Sequence, residues 1–437
     1  MHDTFPRELL EYEIELRRES GYDTTRIDAI ADQVLADRSS DDELLLEVYA
    51  SVLATTRRGD WPYVEPDDLE SILATLPSAS PVDVGHLDLR DKLLGGWAGR
   101  AAGCNLGKPI ELGDYWTVAR IRRYLELVDA WPLEDYIPAL TPPSPEYELR
   151  DCWPSTTRGN VVASSRDDDL DYTLLALHLI ETYGRNYTSA DVAREWLARL
   201  PYTETFTAER AAYRSLINGV PPHLVGELNN PYREWIGAQI RADLYGYINP
   251  GNPRAAAVLA YQDAALSHRG NGIYGEMWSA ALVAAAFTAD TARDAIVESL
   301  QHIPPRSRLA EALNDIVSVH ASHASWDESR AHIERTYGHY SWIHTISNAL
   351  IVAAGLLWGD GDYTASIALT VVGGWDTDSN GATSGSVAGV MSGAAALPPQ
   401  WIKPLNDTIR SSLAGFDGVQ ISDLADRTLA LIPGSNS

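Results

Sequence analysis

The chain has 437 residues, 45% of them hydrophobic, enough for one large domain or two medium ones around a sizeable core. A formal net charge of -27, from 61 acidic and 34 basic residues, argues against a surface that tracks a nucleic-acid backbone. Two cysteines without a CxxC pair exclude a disulfide framework, and no run reaches the roughly 18 apolar residues that a membrane span needs.

The chain opens on MHDTFPRELLEYEIELRRES, which is charged from the start and lacks an apolar leader core, so a cytoplasmic protein is expected. Charge-rich helical patterns (PRELLEYEIELRRE, DDELLLEVYASVLATTRR) lead to the polar stretch LPSASPVDVGHLD, a plausible boundary. Two segments are expected: an N-terminal helical extension over 1–85 and a main domain over 86–437. Beyond the boundary the rhythm stays helical. LLALHLIETYG, AAAVLAYQDAALSH, EMWSAALVAAAFTA and IHTISNALIVAAGLLWG are rich in Ala and Leu, and alternating β-branched stretches are scarce. The fold class expected is all-α.

Gly95, Gly99, Gly103 and Gly107 recur every fourth residue, followed by a loop with Pro109 and Glu111. Gly381, Gly385, Gly389 and Gly393 repeat the pattern near the other end. On a helix such a row lies along one face and permits unusually close packing, so the two helices are expected in the core, near or against each other. That would bring the Glu111 loop beside Asp376–Ser379. Between them, the Pro-rich stretch from Trp131 to Ser165 is long for a loop and reads as a lid or an insertion.

Asp167, Asp168 and Asp169 open the helical pattern LDYTLLALHLIE. Three adjacent carboxylates repel one another more than a helix dipole offsets. They are either a solvated helix start or a hard-cation site, since Mg²⁺ and Mn²⁺ favour carboxylate oxygens. Further on come Arg241 and Asp243, then His268, Asn271, Gly272 and Tyr274 in a turn between apolar helices. Residues 270–275 fit GxGxxG, but a helical pattern precedes them where a dinucleotide-binding fold needs a strand. After the apolar run IALTVV, Gly373-Gly374-Trp375-Asp376-Thr377-Asp378-Ser379 places two carboxylates and a hydroxyl where a tight turn would let them converge. A nucleophile elbow, a Walker A loop, HExxH and an EF-hand loop are all absent from the sequence.

In this order the motifs resemble the ADP-ribosylglycohydrolase family. GWAGRAAGCNLGKPIE resembles the family's opening GxxxGxAxGxxxGxPxE, RDDDLDYTLLAL stands in place of its Thr-Asp-Asp-Thr, and GGWDTDSNGATSGSVAG resembles its closing GGDTDTNAAxAGxxxG. GAQIRAD and the pair Ser267-His268 are similar to its Gly/Arg segment and later Thr/Ser-His. The match runs from about Asp88 to Trp401; the first 80 or so residues match no pattern. The resemblance implies a compact all-helical hydrolase with Mg²⁺ or Mn²⁺, two ions in the family, cleaving an N- or O-glycosidic bond to ribose. It implies a small-molecule or ADP-ribosylated substrate and no nucleic-acid or membrane partner. The implied metal ligands are Asp168, Asp169, Asp376, Asp378 and Ser379, with Asp167 in the place of a ligand Thr and Leu170 in that of a second Thr. Glu111, Asp168 and Asp378 are the implied catalytic carboxylates. Asn105, Arg241, Asp243, His268, Asn271, Gly272, Tyr274 and Trp375 are the candidate substrate-binding residues. Two other readings stand beside this one: a hydrolase of a small riboside metabolite, favoured if the Trp131–Ser165 stretch closes a deep cleft, and a non-enzymatic, crystallin-like relative, disfavoured by the intact carboxylate set.

Overall fold

The computed structural model describes residues 6–434, so the outermost ends of the two expected segments, 1–5 and 435–437, lie outside the described residues. The fold is all-α; its one sheet among the described residues is a two-stranded antiparallel pairing of Thr408–Ile409 with Val419–Gln420. No described helix is long and apolar enough to cross a membrane.

Two helices form the centre. Asn271–Ala286 is buried at every position, and Thr345–Gly359 at all but Trp358. Both are apolar on every face, as a helix enclosed on all sides must be. The three N-terminal helices, Pro6–Glu19, Asp28–Ala36 and Asp42–Leu53, pack on a small core of their own, including Leu10, Ile14, Ala31, Leu45 and Val52. From there the chain runs as an extended strap along the main body. Val64 N–H donates to Arg306 O at 2.9 Å, and Val82 N–H to Gly251 O at 2.8 Å.

The two glycine rows face each other. A Cβ placed on Gly95, Gly99 or Gly103 would collide with the carbonyl of Gly389, Gly385 or Gly381, and a Cβ on any of those three would collide with the carbonyl of its partner. The pairing runs in opposite directions, so the helices Leu89–Gly107 and Thr377–Ser392 are antiparallel and in contact backbone to backbone. Each helical glycine costs roughly 1 kcal/mol against Ala, and the close contact offsets that cost through dispersion along both helices. The row ends where Gly107 meets Thr377, whose Oγ1 donates to Gly107 O at 2.9 Å. This places the exit of the first helix, with Lys108 and Glu111, against the entry of the second, with Asp376 and Asp378.

Replacing Gly385 by Leu drives a side chain into the Gly99 backbone, where no rotamer relieves the clash. The expected loss of stability is about 1–3 kcal/mol or more, read as a lowered thermal midpoint. Gly59→Leu, at a glycine whose Cβ would meet open space, is the control and should melt with the parent chain; equal midpoints for both variants would refute the packing account.

Candidate active site

A cavity of about 280 Å³ lies where the two glycine helices and the Asp168–Tyr183 helix meet. Its polar side is formed by Lys108, Glu111, Arg150, Arg166, Asp167, Asp168, Asp169, Asp376, Asp378 and Ser379. Its apolar side is formed by Phe206, Trp235, Ile236, Ile240, Trp342 and Ile343.

Asp167 is the N-cap of its helix. One carboxylate oxygen accepts from Asp169 N–H at 3.0 Å, and the other forms an ion pair with Lys108. Burial alone would raise this carboxyl, but Lys108 and the Asp169 N–H hold it down at about 2. At Asp168 next to it, burial and the Asp167 charge outweigh Arg166 and Lys108 and push the carboxyl up to about 8. Asp169 is held from three directions. Its Oδ2 accepts from Ser379 Oγ at 3.0 Å, and its carbonyl oxygen and Oδ1 accept from the buried Arg100 at 2.7 and 3.4 Å. Burial and Asp167 raise its carboxyl well above the usual range.

Glu111, Asp376 and Asp378 each bring a carboxylate oxygen to within 4.8 Å of the others. Asp376 and Asp378 start the Thr377–Ser392 helix, and Glu111 follows the Leu89–Gly107 helix, so the glycine contact brings them together. Burial and the neighbouring Asp378 and Asp376 push Glu111 well up, while its ion pair with Arg150 opposes this. Burial and Asp378 raise Asp376 in the same way.

The donor set fits a hard dication. Oxygen ligands crowd one buried cavity, burial and mutual repulsion raise the proton affinity of several of them, and Lys108 and Arg150 form ion pairs with Asp167 and Glu111. A second close grouping, Cys104 with Asp167 and Asp169, includes a thiol whose pKa burial raises well above its ordinary value, a poor donor for such an ion.

The remaining candidates from sequence do not line this cavity. Asn105 pins the segment before the acidic run: its Nδ2 donates to Ser164 Oγ at 2.9 Å, and its Oδ1 accepts from Ser165 N–H at 3.0 Å. Asp243 is the ion-pair partner of Arg100, and Arg241 is enclosed by Glu209, Asp263 and Glu276. His268 is fully buried and bonded to Ser267 Oγ at 2.8 Å. Asn271 bonds Glu65 at 2.8 Å and Glu234 at 3.0 Å, and Tyr274 donates to Pro66 O. A Cβ at Gly272 would strike Arg233 O. Asn271 and Tyr274 thus bond residues of the N-terminal strap, while Gly272 packs against the Arg233 backbone. Trp375 has φ +63°, a conformation rare for an aromatic residue. Its ring stacks under Arg330 at 4.3 Å and lines a neighbouring cavity with Trp131 and Trp326, while Asp376 turns into the acidic one.

Sequence reasoning assigned no role to Lys108, Arg150, Arg166, Phe206, Trp235 or Trp342. Arg166 directly precedes the acidic run, and Trp235 and Trp342 are tryptophans outside the apolar-periodic stretches; those were the available signals.

A family model described as ADP-ribosylglycohydrolase matches residues 85–436. Among solved structures, a chain described as "ADP-ribosylglycohydrolase-related protein complex" superposes with a TM-score of 0.49 at 17% identity, over 80% of this chain and 99% of that one. No curated protein matches the chain.

Titration with Mn²⁺ should show saturable binding that strengthens as pH rises from 6 to 9. Asp168, held at about 8, keeps its proton at pH 6 and competes with the cation; binding should therefore release protons, read as a buffer-dependent heat. Asp378→Ala should weaken binding by at least 10–100-fold. Affinity that stays flat across this range, or survives in Asp378→Ala, would rule out the assignment.

Proposed function

The chain belongs to the ADP-ribosylglycohydrolase family, and from that membership we propose that it is a metal-dependent glycohydrolase cleaving the bond between ribose and an acceptor in ADP-ribosylated or nucleotide-derived substrates. The observation that carries the reading is the convergence of Glu111 with Asp376 and Asp378, from motifs at opposite ends of the family region, in one cavity.

Asp168, Asp169, Asp376, Asp378 and Ser379 would hold one or two Mg²⁺ or Mn²⁺ ions. If bound, such an ion would supply Lewis-acid charge that polarises oxygen ligands of the substrate and the attacking water. The chain's own residues do the rest. Glu111, its proton affinity raised by burial and opposed by its ion pair with Arg150, is suited to take a proton at its carboxylate from the attacking water. That water replaces the leaving group at the anomeric carbon through an oxocarbenium-like transition state. Arg150 fixes the direction of Glu111, and Arg100 with Ser379 fixes that of Asp169. The aromatic wall lowers the local dielectric, which strengthens every charge interaction inside.

Of the Trp131–Ser165 stretch, only Arg150 reaches the cavity. A stretch that barely touches the cavity supports an ADP-ribosylated acceptor over a small riboside metabolite.

A hydrolysis screen with Mg²⁺ over ADP-ribosyl-arginine, ADP-ribosyl-serine, NAD and simple nucleosides should find turnover among the ADP-ribosyl compounds. Glu111→Gln should reduce that turnover by about 10²-fold or more, while Mn²⁺ affinity stays within about threefold, under 1 kcal/mol. Full activity in Glu111→Gln would remove this residue from the mechanism, and no turnover of any compound would refute the proposal.

A further inference from the structure

The family match begins at residue 85, so the N-terminal helices lie outside it. They nevertheless grip one wall of the cavity at four consecutive residues. Tyr232 donates its hydroxyl to Glu8 at 2.5 Å. Arg233 places both terminal nitrogens on the fully buried Glu13, at 2.7 and 2.8 Å. Glu234 accepts from Ser20 Oγ at 3.2 Å and from Arg308 at 2.7 and 2.8 Å, and Arg308 is held in turn by Glu65 of the strap at 3.0 Å. Trp235 meets the ring of Tyr12 edge to face, centroids 5.0 Å apart at 82°. Trp235, Ile236 and Gly237 then line the cavity. On the opposite side the wall is tied to its neighbour: Ile236 N–H donates to Ile343 O at 2.9 Å, and Thr345 Oγ1 donates to Trp235 O at 3.0 Å.

Glu8 and Tyr12 are spaced i, i+4 and so share a face of one helix, and Glu13 lies next round from Tyr12, so a single helix meets all of Tyr232, Arg233 and Trp235. Its grip is made of charge-assisted, bidentate and aromatic contacts, the kinds that fix direction as well as distance. A cover over an apolar patch would need none of them. The acidic side of the cavity, by contrast, is held by Lys108, Arg150, Arg100 and Ser379, all outside these helices.

We propose that the helix Pro6–Glu19 is a positioning element of the active site, with Tyr12 and Glu13 holding Trp235 at the angle that shapes the substrate-binding wall. It acts on substrate affinity and leaves the cation site unaffected. The inference rests on the proposed function only in taking this cavity as the substrate's place.

The test uses the full-length chain with ADP-ribose as the probe, in Mg²⁺. Tyr12→Ala and Glu13→Ala should each weaken ADP-ribose binding by about tenfold or more, as displaced contact groups do. They should raise KM with little change in kcat and leave Mn²⁺ affinity within about twofold, near 0.4 kcal/mol. Hydrogen exchange at the amides of Trp235, Ile236 and Gly237 should quicken in both. Tyr12→Phe, which keeps the ring, should match the parent chain in every readout. If Tyr12→Ala does not fold, Tyr12→Leu takes its place. Parental ADP-ribose affinity together with parental exchange in the Tyr12 and Glu13 variants overturns the proposal, and so does loss of Mn²⁺ binding in step with ADP-ribose. If the parent chain binds no ADP-ribose, the functional reading fails, and the exchange rates alone decide whether the helix holds the wall.

Discussion

The contact on which the rest depends is backbone against backbone. Along the seam between Leu89–Gly107 and Thr377–Ser392, carbonyl oxygens stand where side chains would otherwise be. A seam without side chains has little freedom to slide, because a shift of one residue puts side chains such as those of Ala98, Arg100, Ala102, Ser384 or Val390 where only hydrogen fits. The register is therefore set over several turns, and the end of the seam is set with it. Glu111 and Asp376 lie just past that end, and Asp378 lies at it. The precision that catalytic carboxylates need thus comes from rigid packing several turns away, as expected for a site carried on regular elements.

The second constraint is electrostatic. Carboxylates crowd a site removed from water, and a folded chain tolerates this only if the charges are matched or lost. Three means are visible. Arg100 and its partner Asp243 brace Asp169 from behind. Lys108 takes the charge of Asp167, and Arg150 that of Glu111. In the rest, burial and neighbouring charge raise the affinity for a proton, as at Asp168 and Asp376. This also accounts for Asp167 standing where the family resemblance places a threonine. Both residue types cap helices well, and the Asp169 N–H finds its acceptor either way. The additional charge is absorbed by Lys108.

The all-α class, the glycine seam and both acidic motifs were legible in the sequence because each is a local pattern: a period of four, or carboxylates at a helix start. What local pattern cannot carry is partnership between distant segments. Glu13 finds Arg233 across 220 positions, and nothing in either neighbourhood announces it. The same limit explains the placement of Asn271 and Tyr274. A polar side chain in a turn between apolar helices looks alike whether it faces a ligand or a buried partner, and here the partners are Glu65 and Pro66. Trp235 and Trp342 were overlooked because a wall residue outside a periodic stretch leaves no repeating signal.

The glycine seam also bears on how the protein comes into being. Its two helices meet across 270 positions of chain, as the Thr377–Gly107 bond records. At roughly 5–20 residues per second of synthesis, the first glycine helix waits on the order of 15–50 s for its partner to be made. During that interval its small-residue face is a poor adhesive, offering little apolar area for wrong associations. The centre of the fold, with the fully buried Asn271–Ala286 helix, is completed in the same late step. Nascent chains cut short before the second glycine row would therefore lack half the acidic cluster and the seam that aligns it. Synthesis from N- to C-terminus thus leaves the assembly of the candidate active site until almost the whole chain has been made.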